Sequence, residues 1–189
     1  MQVQGNFDPA VSVDQFKRSR HILPDDVTDD VLFESLLVSA QDVVETGTNR
    51  PLTRRVVQIE TRVGLGCRWY FPCAPVADIT ALAFQDSDGM WQNLPLDGVV
   101  LQRAFDEPQL VFPAGFASDA PDGAPLRVTA NVGHDVVPRP LAQGIILVAA
   151  DWYEAGIDPD KDKHTKVTFG ARALMKQRRY RRPMEWARV

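Results

Sequence analysis

The stretch that decides the fold is residues 29–63, DDVLFESLLVSAQDVVETGTNRPLTRRVVQIETRV, because the hydrophobic period changes inside it. From Asp29 to Thr46 the apolar residues Leu32, Leu36, Ala40, Val43 and Val44 recur at helical spacing and mark one buried face. Thr28 is a natural N-cap, and Asp29 and Asp30 occupy the first turn, where the helix dipole favours acids. Gly47 reads as the residue that ends the helix, and Thr48-Asn49-Arg50-Pro51 as turn material. From Arg54 to Val63 polar and apolar residues alternate through Val57, Ile59 and Thr61, the signature of a half-buried strand.

Working outward from that switch, Ser12 to Arg20 reads as a short helix with Ser12 as N-cap and Phe16 as its apolar anchor. Downstream come short segments rich in β-formers: Trp69–Phe71, Val76–Phe84, Met90–Leu94, Val99–Arg103, Gln109–Phe112 and Leu126–Val132. Asp86-Ser87-Asp88-Gly89 is a hairpin signal. Helix returns after Pro138-Arg139-Pro140. Its stripe Leu141, Ile145, Val148, Ala149 and Trp152 runs to Tyr153 and stops at Gly156. A last helix is expected from Ala171 to Arg181, stopped by Pro183. Helices, then strands, then helices is an α+β pattern. We expect N-terminal helices, a central antiparallel β-sheet or small sandwich, and C-terminal helices with an extended tail. In domain terms, residues 1–170 form one α+β domain, with a β-rich insertion at about 53–133 between helices 29–47 and 139–154. Residues 171–189 form a basic helix and tail.

The chain has 189 residues, with Lys+Arg 21 against Asp+Glu 25, and two cysteines. Two cysteines exclude a disulfide framework, and no stretch approaches the ~20 apolar residues of a membrane span. Residues 1–6 lack the basic and apolar regions of a signal peptide, so a reduced, cytoplasm-made protein is expected. Charge is segregated. Seven basic residues lie between Arg172 and Arg188 against Glu185, a balance of +6, leaving 14 basic and 24 acidic residues, −10, for the rest. The tail residues Arg172, Lys176, Arg178, Arg179, Arg181 and Arg182, with Tyr180 and Trp186, are the candidate binding residues. Arg pairs bidentately with carboxylates or phosphates, and Trp and Arg dominate binding hot spots.

Signals of catalysis are sparse. No Gly-x-Ser-x-Gly elbow exists. Gly64-Leu65-Gly66 lacks the third glycine of a dinucleotide loop and the lysine of a P-loop. Cys67 and Cys73 have no His nearby and read as free, partly buried thiols. His21, His134 and His164 are far apart. Asp158, Asp160 and Asp162 start like a calcium loop, but Lys163 stands where Gly is needed and Phe169 where Glu is needed. No catalytic residues, metal or cofactor are expected.

Several stretches together resemble one family. Residues 29–52 are similar to the opening helix of the head–tail connector (adaptor) proteins of long-tailed phages and phage-like gene transfer agents, which ends in a Glu-x-x-Thr-Gly-Arg-like turn; here that turn is Glu45 to Arg50. Phe71-Pro72-Cys73-Ala74-Pro75-Val76 resembles the family's strand entry, and Phe84 to Gly89 its Asp-Gly hairpin. Leu126 to Gly133 is similar to the strand before its second helix, Pro138 to Glu154 to that helix, and Phe169 to Leu174 to its closing segment. The resemblance spans roughly residues 12–182. The loop Ile157–Lys166 is more charged than the family pattern, and the chain continues past Arg182.

The resemblance implies a structural, non-enzymatic protein of the virion neck. It implies a homo-oligomeric ring, usually of twelve copies, under the portal protein, with the opposite face offered to a stopper or tail-completion protein. The C-terminal segment would dock on the portal. DNA would pass through the ring without sequence-specific binding, past walls whose acidic charge does not grip phosphate. The implied location is the virion, with assembly in the host cytoplasm and no membrane. The alternative read from the residues themselves is a nucleic-acid-binding module that uses the Arg-rich tail on phosphates. An enzyme with a cleft between sheet and helices is a third reading, short of any converging set of groups.

Overall fold

The computed structural model describes residues 2–4, 8–62, 67–117, 120–121, 123–156 and 167–183. The chain divides into two compact units. One holds Met1–Phe7, Arg54–Gly133 and Arg181–Val189; the other holds Asp8–Thr53 and His134–Tyr180.

Among the described residues, the first unit is built of strands with one 3-10 turn at Ala104–Asp106. Its strands are β1 (Gln2–Gln4), β2 (Arg55–Arg62), β3 (Arg68–Tyr70), β4 (Val76–Gln85), β5 (Trp91–Leu94), β6 (Val100–Gln102), β7 (Gln109–Val111) and β8 (Pro125–Val132). They make a five-stranded sheet in the order β1-β2-β8-β4-β5 and a three-stranded sheet in the order β3-β7-β6, all pairs antiparallel. Alternation in sequence becomes a buried face in space. On β8, Leu126, Val128, Ala130 and Val132 are buried while the residues between them are half-buried. Val57 and Ile59 of β2 sit opposite Ala130 and Val128. Both sheets contribute to one core, in which Trp69, Phe71, Leu110 and Phe112 join that face. The small sandwich is therefore the form the strands take, with β1 as an edge strand that periodicity did not flag. Three residues carry too little pattern to read.

Turn chemistry explains the β4–β5 hairpin. Asp86 Oδ1 accepts the amides of Asp88 at 3.0 Å and Met90 at 2.8 Å, and Gly89 takes φ +80°. Gln92 Nε2 donates to Asp86 Oδ2 at 2.9 Å. These donors hold the Asp86 carboxyl below its ordinary pKa, Gln92 first. The hairpin is therefore firm above the usual carboxylate range and loosens as pH falls through the lowered value.

The second unit is helical: α1 (Val13–Arg20), α2 (Asp30–Thr48), α3 (Arg139–Ala155) and α4 (Phe169–Arg178). Ser12 caps α1 in a reciprocal capping box with Gln15, and Phe16 is fully buried, as the sequence indicates. The stripes of α2 and α3 face each other. Leu36, Ala40, Val44, Ile145, Val148 and Trp152 lie in one core. Each large side chain there gains roughly 1.5–3 kcal/mol over exposure. The two helices are antiparallel, because Tyr153 meets Phe33 near one end (centroids 5.1 Å) and Gly144 meets Val44 near the other. Tyr153 packs on the start of α2 and donates from its hydroxyl to Asp29 Oδ2 at 2.9 Å.

Four helix boundaries differ from the sequence reading. Asp29, not Thr28, is the N-cap of α2, and it makes no side-chain cap bond; its carboxylate instead accepts the Tyr153 hydroxyl. The helix runs through Gly47 to Thr48, and Asn49 ends it with φ 54°. Gly47 instead makes room: a Cβ there would collide with the Met175 methyl of α4. Finally, α4 begins at Phe169 on an N-cap from Thr168 and stops at Arg178, before Pro183. Arg179 is already extended, so it is the pull on Tyr180, described below, that ends the helix.

The two thiols are in opposite environments. Cys67 is exposed and Cys73 is buried. Burial pushes the Cys73 thiol up to about 12. The native protein should therefore take up one equivalent of iodoacetamide at pH 8, at Cys67, and two after denaturation, because the thiolate is the nucleophile. Mass spectrometry of the labelled peptides checks this.

Candidate basic docking segment

The segment singled out by charge is built onto the end of α2. Tyr180 donates its backbone N–H to the Thr48 carbonyl at 2.8 Å, and Asn49 Nδ2 donates to the Tyr180 carbonyl at 3.2 Å. Arg50 Nε donates to the Arg178 carbonyl at 2.5 Å. The last turn of a helix leaves carbonyls without intrahelical partners. Here one of them holds the C-terminal segment. Asn suits its position twice: it tolerates the left-handed backbone and its amide reaches Tyr180.

The turn from Glu45 to Arg50, noted in the sequence only as a family-like helix end, is therefore a clamp. Glu45 Oε1 accepts Leu52 N and Gln41 Nε2, both at 2.9 Å, which fixes the turn from below. Gly47 admits Met175, so α4 lies close against α2. Ala171 is fully buried under the same contact. A Gly47→Leu variant must turn aside the flexible end of Met175, which a new Cβ would meet, and should loosen the seating of α4 without expelling the helix. The readout is faster tryptic cleavage at Lys176 and Arg178.

Of the candidate residues, Arg172, Lys176, Arg178, Arg179, Arg181 and Arg182 are exposed. Tyr180 is 3% exposed. It is buried and its backbone is tied to the end of α2, so it anchors the segment instead of presenting itself outward; a ring flanked by four arginines read in sequence as a surface group. The Arg182 guanidinium lies over the Trp69 ring, 5.6 Å from its centroid, within the β unit. Trp186, with residues 184–189, lies outside the described residues, as do Gly64-Leu65-Gly66, His164 and the acidic run 158–163. The structure thus brings together five arginines and a lysine on one continuous strip of chain, with Phe169 at its start 88% exposed. The strip divides between the units: α4 and Tyr180 belong to the helical unit, and Arg181 onward to the β unit. A separate tail beginning at 171 is not how the described residues are organised.

Chemically, the strip can pair with carboxylates or phosphates and little else. Among the described residues no three His, Cys, Asp or Glu side chains are grouped to hold a metal ion. His21 caps α1 in the left-handed region, and His134 forms a parallel bridge with Thr53; the two lie on different elements. No described helix is long and apolar enough to cross a membrane.

No protein-family model matches the sequence, and no curated protein matches it. Solved structures do match. The chain is similar to one in the neck of the empty GTA particle computed with C6 symmetry, with a TM-score of 0.77 and 24% identity over 97% of this chain and 98% of that chain. It is similar to one in the neck of the native GTA particle computed with C12 symmetry, with a TM-score of 0.73 and 23% identity over 97% of this chain and 98% of that one. A chain in the virion of the native gene transfer agent (GTA) particle matches with a TM-score of 0.72 and 24% identity, over 97% of this chain and 96% of that one. Over nearly its whole length, the chain has the fold of a protein from the neck of gene transfer agent particles.

Proposed function

We propose that this chain is a structural, non-enzymatic protein of a virion neck. It forms a ring below the portal and connects the capsid to the stopper and tail, lining part of the DNA exit channel. The observation that carries the reading is the fold shared with chains of gene transfer agent necks across 97% of this chain. Necks computed with C6 and C12 symmetry support a ring of identical copies for this chain as well. The exposed strip Arg172, Lys176, Arg178, Arg179, Arg181 and Arg182, with Trp186 beyond it, is the portal-docking segment. The α2 clamp supports that role, since a segment fixed at Tyr180 loses less freedom on binding than a loose tail.

The test is co-sedimentation with the cognate portal ring after nuclease treatment. Truncation after Lys166 would also delete α4 from the helical core, so the sharper variant reverses Arg179, Arg181 and Arg182 to Glu and leaves α4 in place. The wild-type chain should sediment near one copy per portal subunit, and the reversed variant should fall below a tenth of that. A wild-type chain that ignores the portal but shifts DNA, with a log–log salt slope of up to about −5, would make it a nucleic-acid binder instead.

A further inference from the structure

We propose that neighbouring copies of this chain join head to tail through the two ends of the helical unit. The acidic, apolar end of one copy seats on the basic end of the next. The ends are set by the 19-residue α2, roughly 28 Å long.

At its start lie the exposed apolar residues Leu23, Val27 and Val31, at 70%, 67% and 82% exposure. Asp25, Asp26 and Glu34 are exposed among them. The cations nearby are largely committed: Lys17 is buried against Asp30 at 2.5 Å, and Arg20 pairs with Glu154. Arg18 and His21 remain on the α1 side. Three large apolar side chains held in water by a charged rim have the composition of an interface, an apolar centre with a polar border.

At the other end α3 begins. Val136 there is 82% exposed and Arg139 is exposed, with Asp135 as the acid beside them. Because α2 and α3 are antiparallel, this end also carries the exposed Lys176 and Arg178, next to the α2 terminus. One end therefore offers apolar side chains with carboxylates, and the opposite end an apolar side chain with guanidinium groups. Charge complementarity between them selects a second copy as occupant. An acidic rim disfavours nucleic acid and anionic lipid at the first end. Two different, complementary patches on one chain make a heterologous contact, which closes into a ring when the rotation allows. The inference rests on the ring of the preceding reading and not on its portal contact.

The experiment is sedimentation velocity on the full-length chain without portal. One variant carries Asp25→Arg and Asp26→Arg, the other Arg139→Asp and Lys176→Glu. Each alone should self-associate at least about tenfold more weakly than wild type, since like charges then face each other across the contact. Mixed in equal amounts, the two should recover oligomers, because reversed ends match each other and the remaining ends are unchanged. The recovery excludes misfolding as the cause of loss. Variants that oligomerise like wild type, a mixture that stays monomeric, or a wild-type chain that is monomeric at its highest soluble concentration would each overturn the inference. Portal co-sedimentation is read separately, so failure here leaves that reading standing, and failure there leaves this one.

Discussion

Replacing Tyr180 with alanine is expected to destabilise the chain by about 3 kcal/mol and to release the basic segment. Truncating a large buried aromatic leaves a cavity on top of the lost transfer energy, typically 3–5 kcal/mol. Tyr180 is 3% exposed but lies outside the core formed by α2 and α3, so the lower figure applies. In thermal unfolding this corresponds to roughly 6–12 °C for a domain of this size. The backbone bonds to Thr48 and Asn49 hold only while the ring keeps residue 180 in place. Limited trypsinolysis should therefore cut at Arg178 and Arg179 first in the variant, and portal co-sedimentation should weaken although every arginine is present. Tyr180→Phe keeps the packing and should keep both properties. Equal stability of Tyr180→Ala and wild type would remove Tyr180 as the anchor.

The second large effect is an asymmetry at the buried ion pair. Lys17 is 1% exposed, and its ammonium meets Asp30 at 2.5 Å and the Pro24 carbonyl at 3.4 Å. Asp30→Ala strands a buried charge, a loss that typically reaches 3–5 kcal/mol. Because the Asp30 side chain is 34% exposed and Asp26 lies close enough to feel Lys17, about 3 kcal/mol is expected. Lys17→Met should be nearly neutral, since methionine fills a similar volume and the freed Asp30 can turn to water. Urea unfolding of the two variants measures the difference. Equal costs would mean that the pair contributes as a unit and not through the burial of one charge.

The same residues explain what was legible in advance. The helical stripe of α2, the alternation of β2 and β8 and the Asp-Gly hairpin are local patterns. Each follows from a period of 3.6 or 2 or from turn chemistry, so sequence alone places them to within one or two residues. The boundaries that sequence misplaced are those decided by another element. Gly47 has the composition of a helix stop, but its lack of a Cβ serves the distant Met175. Arg179 has no local reason to leave the helix; its backbone follows Tyr180 to the end of α2. β1 exists only because β2 offers it an edge.

For the candidate site, sequence supplied the composition and structure supplied the direction. Four arginines within five residues are visible to any reader, since charge is additive along a chain. Which neighbour among them turns inward is not visible, because burial depends on what lies across the fold. Tyr180 is exposed by sequence context and buried by tertiary context. The polarity of the helical unit is similar. Asp25 and Asp26 lie in one loop and Arg139 more than a hundred residues away, and only the antiparallel packing of α2 on α3 sets them at opposite ends. By itself the sequence determined the long helices and most of the strands, their helix–strand–helix α+β order and the segregation of charge, all products of local periodicity and counting. The tertiary structure alone decided which glycine is a packing notch, which aromatic is an anchor and where the two charged ends lie. Those properties belong to pairs of residues brought together by burial, and no single segment contains both partners.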